Sequence, residues 1–160
     1  MEQDSILFAF DLVGRGILTT IERSIEINAP PEKIWPMIQW DRTPEWYAPW
    51  TKVEWTSKEK DKVGSTVHIT VELDVKTELD CETTEIIENE KVAFRSIGKN
   101  PTTGFHSLTP TENGTKVTLG ATYELPYSVL GKLIDKVHTR KVMEKSFEVS
   151  LKKLKDMMEK

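Results

Sequence analysis

The sequence predicts an α+β fold: a curved antiparallel sheet of seven strands wrapped around one long C-terminal helix, with two short helices between strands 1 and 2. Three observations predict it. Apolar and polar residues alternate with period two in run after run between Ile17 and Leu125. A stretch rich in proline and tryptophan, from Ala29 to Trp50, breaks that alternation after the first run. Beyond Pro126 the apolar residues change to steps of three and four.

Strand 1 runs from Ile17 to Ile27, with Ile17, Thr19, Ile21, Arg23, Ile25 and Ile27 on one face and Thr20, Glu22, Ser24 and Glu26 on the other. Asn28-Ala29-Pro30-Pro31-Glu32 reads as a helix start, because proline in the first turn gives up an N–H that has no partner there. Pro36 keeps this helix short, and a second short helical or irregular piece is expected from Glu45 to Trp50. Val53 and Trp55 open strand 2. After the Asp61-Lys62-Val63-Gly64 turn, Val67, Ile69, Val71, Leu73 and Val75 line one face of strand 3. Leu79, Cys81, Thr83 and Ile87 mark strand 4, Val92, Phe94 and Ser96 strand 5, and residues 104–109 strand 6. Asn113-Gly114 is the strongest hairpin signal, read as a type I′ turn into strand 7 with Val117, Leu119, Ala121, Tyr123 and Leu125 on one face. Leu130, Ile134, Val137, Phe147, Leu151, Leu154 and Met158 then form one apolar helical stripe, weakened near its start by Gly131.

At 160 residues with no repeat or linker, the chain is expected to form one domain over 17–160, preceded by an extension over 1–16. The formal net charge of −4 argues against non-specific nucleic-acid binding, which needs a positive face to displace counterions. Residues 5–13 are apolar, but they lack the cationic start and unbroken run of a signal peptide. No run approaches the length of a membrane helix, so a soluble, cytoplasmic protein without membrane insertion is expected. The single cysteine, Cys81, has no internal disulfide partner. The sequence leaves the oligomeric state open. A twisted sheet of seven strands curls, and one helix cannot fill its hollow everywhere. A cavity between sheet and helix, closed at one end by the two short helices, is the expected result.

This order of elements, with IEINAPPEKIW (25–35), Pro44 to Trp46, NGTKVTL (113–119), YELP (123–126), LGKL (130–133) and LKKLKDMMEK (151–160), resembles the START-like, or SRPBCC, superfamily. That group includes lipid-transfer START domains, birch-pollen-allergen-type proteins and polyketide cyclase/dehydratase-like proteins. The resemblance implies a helix-grip fold with a deep apolar pocket for a hydrophobic small molecule. Pro36 and the N-terminal extension depart from the family's usual pattern.

All five tryptophans, Trp35, Trp40, Trp46, Trp50 and Trp55, fall within residues 35–55. Trp35 and Trp55 read as core. Trp40, Trp46, Tyr47 and Trp50 lie on turns, where they either pack or form an exposed recognition surface at the pocket mouth. Arg23 stands alone on an apolar strand face, so it is either a structural ion pair, with Glu85 as a candidate partner, or an anchor for an anionic ligand head. His106 shares parity with Leu108 and points inward, as a pocket wall or a general base. Tyr123 either packs or donates to a ligand carbonyl. The expected ligand-binding set is Arg23, Trp46, Trp50, Val67, Ile69, Val71, Phe94, His106, Tyr123, Ile134 and Val137. The sequence shows no metal-ligand spacing, dinucleotide fingerprint or nucleophile elbow, so neither cofactor nor metal is implied. Three functions follow: binding or transfer of a hydrophobic or amphipathic small molecule; cyclase/dehydratase-like chemistry in the same pocket, with His106 or Glu85 as base and Arg23 stabilising an enolate; or a co-chaperone-type interaction module using the tryptophan-rich segment.

Overall fold

The computed structural model describes residues 17–73, 75–98, 101–125 and 132–160, with residues 17, 125 and 132–136 described through their backbone alone. The extension 1–16, Pro126, Leu130, Gly131 and the side chain of Ile134 therefore lie outside the described residues.

Alternation produces strands where the sequence places them: β1 (Ile17–Ile27), β2 (Trp50–Trp55), β3 (Thr66–Glu72), β4 (Lys76–Ile87), β5 (Lys91–Ser96), β6 (Thr103–Thr111) and β7 (Gly114–Leu125). They form one seven-stranded sheet in the order β1-β7-β6-β5-β4-β3-β2, with every neighbouring pair antiparallel. β2 to β7 follow one another as neighbours. β1 closes instead against β7, in register from Ile17↔Leu125 to Ile27↔Thr115. The chain must therefore cross from one edge of the sheet to the other between β1 and β2. Helix α1 (Pro31–Ile34) and two 3-10 turns, Trp35–Ile38 and Thr43–Glu45, make that crossing. Of the two alternatives for 45–50, helical or irregular, the irregular one is found: the 3-10 turn comes earlier, at Thr43–Glu45, and Pro49 biases Ala48 away from helical backbone.

Three local readings need correction. β3 ends at Glu72, because the β3–β4 ladder closes on Glu72↔Lys76 and leaves Leu73 and Val75 beyond it, 40% and 73% exposed. The β6–β7 hairpin turns on Glu112-Asn113, one residue before the expected pair. The positive φ, +149°, falls on Gly114, where a Cβ would lie 2.1 Å from the Ile27 carbonyl oxygen, so only glycine lets β7 start against the β1–α1 corner. In β4 the register shifts between Thr83 and Glu85, and Glu85 ion-pairs with Lys91 at 2.6 Å instead of with Arg23.

Helix α2 (Lys132–Met158) lies chiefly over β1, with lighter contact to β7. Phe147, Leu151 and Leu154 of its stripe are buried in the core with Ile21, Ile27, Val117 and Leu119. Polar ties fix its position. Lys155 Nζ donates to the Glu26 carbonyl at 2.6 Å, Glu159 Oε1 accepts the Asn28 N–H at 2.8 Å, and Ser150 Oγ accepts the Ala48 N–H at 2.9 Å. Val137, expected on the buried stripe, is 50% exposed. Among the described residues no helix is long and apolar enough to cross a membrane.

The turn-borne rings take the packed one of their two expected roles, and the two tryptophans read as core are the less buried. Trp40, Trp46, Tyr47 and Trp50 are buried, whereas Trp35 and Trp55 are only partly so. Short turns can bury large rings where the indole N–H finds a partner, as Trp40 donates to Thr83 Oγ1 at 2.9 Å and Trp46 to the Met37 carbonyl at 2.7 Å. Trp46 and Trp50 therefore offer no exposed aromatic surface to a protein partner.

Candidate functional site

Because α2 is seated over β1, the space between it and the inner faces of β3 to β7 is not filled, and a cavity of about 310 Å³ remains. The sheet contributes Val71, Cys81, Phe94, His106, Leu119 and Tyr123 to its wall. Tyr47 and Trp50 close it from the segment before β2, and Met143, Ser146 and Phe147 from α2. Leu73 and Leu79 belong to the wall and are also exposed, which places the mouth beside the β3–β4 hairpin.

His106 is the most polar group deep in this wall, and aromatic rings enclose it. The ring centroids of Trp46, Tyr47 and Phe94 lie 5.4, 5.6 and 5.5 Å from its own, and that of Trp50 lies 6.0 Å away. Burial pushes the imidazole pKa down to about 4, opposed by a hydrogen bond to the Ile38 backbone. Its Nδ1 has no hydrogen-bond partner, and neither has the Tyr123 hydroxyl. Desolvation also raises the Tyr123 phenol above its ordinary pKa, as it does that of Tyr47. Cys81, on the same wall, is pushed up to about 12 by burial and then by Asp80, so its sulfur stays a neutral thiol.

Of the residues expected to line a site, Trp50, Val71, Phe94, His106 and Tyr123 share this cavity. Trp46, Val67 and Ile69 do not reach it. All three are sealed in the core, and the cavity meets β3 only at its hairpin end, through Val71. Val137 misses it as well: among the described side chains, α2 meets the cavity at Met143, Ser146 and Phe147, roughly two turns further along. Ile134 lies outside the described side chains.

Arg23 is not in the cavity either. Its guanidinium reaches α2, with Nη2 3.2 Å from Glu144 Oε1 and Nε 3.5 Å from Glu148 Oε1, and Nη1 donates to the Glu22 carbonyl. Arg140 Nε binds the same Glu144 oxygen at 2.8 Å. The ion-pair reading of Arg23 is the one the structure supports, with acids of the helix as partners.

The sequence reading missed Cys81, Met143, Ser146 and Phe147 as wall residues, and gave Tyr47 a place at the pocket mouth as one of two alternatives. Inward parity on β4 flagged Cys81, and Phe147 stood on the helical stripe, but neither signal gives the depth at which α2 crosses the sheet.

A family model described as polyketide cyclase / dehydrase and lipid transport matches residues 19–159. The chain belongs to this family. Among solved structures, the chain is similar to the aromatase/cyclase Zhui from a Streptomyces strain, at 12% identity and a TM-score of 0.71, covering 89% of this chain and 94% of that one. A START superfamily protein from Mycobacterium smegmatis aligns at 16% identity and a TM-score of 0.69, over 88% and 97%. The di-domain aromatase/cyclase StfQ of the steffimycin biosynthetic pathway matches at 13% identity and a TM-score of 0.73, with 89% of this chain covering 51% of it. Identities this low show a common fold. No curated protein matches. The polyketide cyclase / dehydrase and lipid transport family has a START-type ligand-binding fold, and its helix-grip architecture is the one described above.

Proposed function

We propose that this member of the family binds or transfers a hydrophobic or amphipathic small molecule in the cavity between sheet and α2. The observation that carries the reading is the cavity itself: about 310 Å³, walled mainly by aliphatic and aromatic side chains, with His106 and Tyr123 each holding an unpartnered buried polar atom. Sites of this kind take their affinity from apolar burial, at roughly 25 cal/mol per Å² removed from water, and their orientation from a few polar groups.

The cyclase/dehydratase-like alternative has less support. A general base works best with a pKa near the working pH, whereas burial holds His106 at about 4. Glu85 and Arg23, the other groups considered for that chemistry, are engaged with Lys91 and Glu144 and are absent from the wall. The interaction-module alternative loses its surface with the burial of Trp46 and Trp50.

Native mass spectrometry of the purified chain, followed by solvent extraction, tests the reading. A retained apolar compound released unchanged supports it. Turnover of a supplied polyketide-like substrate, lost in His106→Phe, would replace it with the enzymatic one.

A further inference from the structure

The mouth of the cavity is an apolar surface that the described residues leave exposed. Leu73 and Leu79 belong to the wall and reach solvent, and Val75, in the loop that joins β3 to β4, is more exposed still. Large apolar side chains clustered in this way mark a surface that something covers.

The same chain carries an apolar run with nowhere else assigned to it. Residues 5–13, SILFAFDLV, are apolar at every position but Ser5 and Asp11. The run is tethered where β1 begins, and β1 begins at the end of the sheet that holds the mouth. Ile17 pairs with Leu125, the last residue of β7. Tyr123 of β7, Thr103 of β6, Ser96 of β5 and Leu79 of β4 carry the cavity wall along that end. With β7, β6 and β5 between them, β1 and β4 are roughly 20 Å apart across the sheet. Val13 can lie at most about 14 Å from Ile17, and Ser5 at most about 43 Å. The run can therefore start short of the mouth and pass beyond it. A tether of this length gives an effective concentration in the mM range, so contacts too weak to join two molecules suffice within one. An anionic lipid surface fits the mouth less well, because Glu72, Glu78 and Asp80 are exposed on the same hairpin.

We propose that residues 5–13 of the same chain lie across the mouth, with Phe8 and Phe10 against Leu73, Val75 and Leu79, and cover the entrance to the cavity. The test reads the mouth with no ligand added, so it stands apart from the binding reading. A nitroxide is attached to the full chain at Gln3→Cys; Cys81 is buried and takes no label. The methyl signals of Leu73, Val75 and Leu79 should lose most of their intensity in NMR spectra, and that of Ile87, roughly 26 Å from Leu79 at the other end of β4, should not. Adding Phe8→Ser and Phe10→Ser should restore the mouth signals while the tether stays the same. Equal intensities at Leu79 and Ile87, or a loss that survives the two serines, would overturn the proposal. So would broadening that appears when the labelled chain is mixed with an unlabelled, isotope-enriched one, which would give the mouth to a second copy. Absence of broadening, with the chain sedimenting on phosphatidylcholine vesicles, would give it to a lipid surface. Should the serine variant not fold, the contrast between Leu79 and Ile87 decides alone.

Discussion

The two sides of α2 meet the same sheet in different ways. Toward β1 the interface is filled: Leu151 and Leu154 are buried, Lys155 ties the helix to the Glu26 carbonyl, and Arg23 is held by Glu144 and Glu148. Toward β4, β5 and β6 the helix stands off, and the cavity replaces packing. Polar groups on the two sides differ accordingly. Arg23 reaches acids at a wet seam, and His106 sits among rings with Nδ1 unpartnered. One side holds the fold together; the other is left free to accept a ligand.

The largest effects should come from the sealed parts of the core. Trp46→Ala removes a fully buried ring and its bond to the Met37 carbonyl, and should cost about 3–5 kcal/mol in urea unfolding. Leu154→Ala, on the filled side, should cost about 2–5 kcal/mol, whereas Leu79→Ala, at the exposed mouth, should cost less than about 1 kcal/mol. Similar losses for the two leucines would break the contrast between the sides.

Acid should act through the cavity side. The folded-state pKa of His106 lies below the ordinary histidine value, so the unfolded chain binds more protons between about pH 6.5 and pH 4. Stability contributed by the buried neutral ring is complete above that window and falls as pH drops through it, by roughly 3 kcal/mol in total. Urea midpoints followed from pH 7 to pH 4 should show a steeper decline in the unaltered chain than in His106→Phe.

The smallest effect is expected at the seam's surface. Arg23 is 30% exposed at its side chain, so Arg23→Met should cost no more than about 1 kcal/mol, and salt should erase most of the difference. Retention of an apolar compound in native mass spectrometry should not change. A large loss of affinity in Arg23→Met would return the guanidinium to the ligand site.

Much of the fold was legible because it rests on local signals. Period-two alternation marks β1 to β7, and prolines at positions 31, 36 and 49 confine helical backbone between β1 and β2 to short pieces. The errors fell where a neighbour overrides a local signal. The hairpin after β6 shifted by one residue because Gly114 had to pass the Ile27 carbonyl, and Glu85 left its expected face at a bulge. The site was less legible. Inward parity identified His106, Tyr123, Phe94 and Val71, but it did not separate a residue facing a void from one facing another side chain, as Val67 and Ile69 show.

By itself the sequence determined which residues face inward and in what order the elements run, since both follow from backbone periodicity and proline placement. Only the tertiary structure decided that the turn-borne tryptophans are core, that Arg23 belongs to a helix seam and that, among the described side chains, α2 meets the cavity at Met143, Ser146 and Phe147. Those outcomes depend on the height and tilt of one helix over a curved sheet, set by side-chain volumes and ties between residues far apart in the chain, which no local pattern encodes.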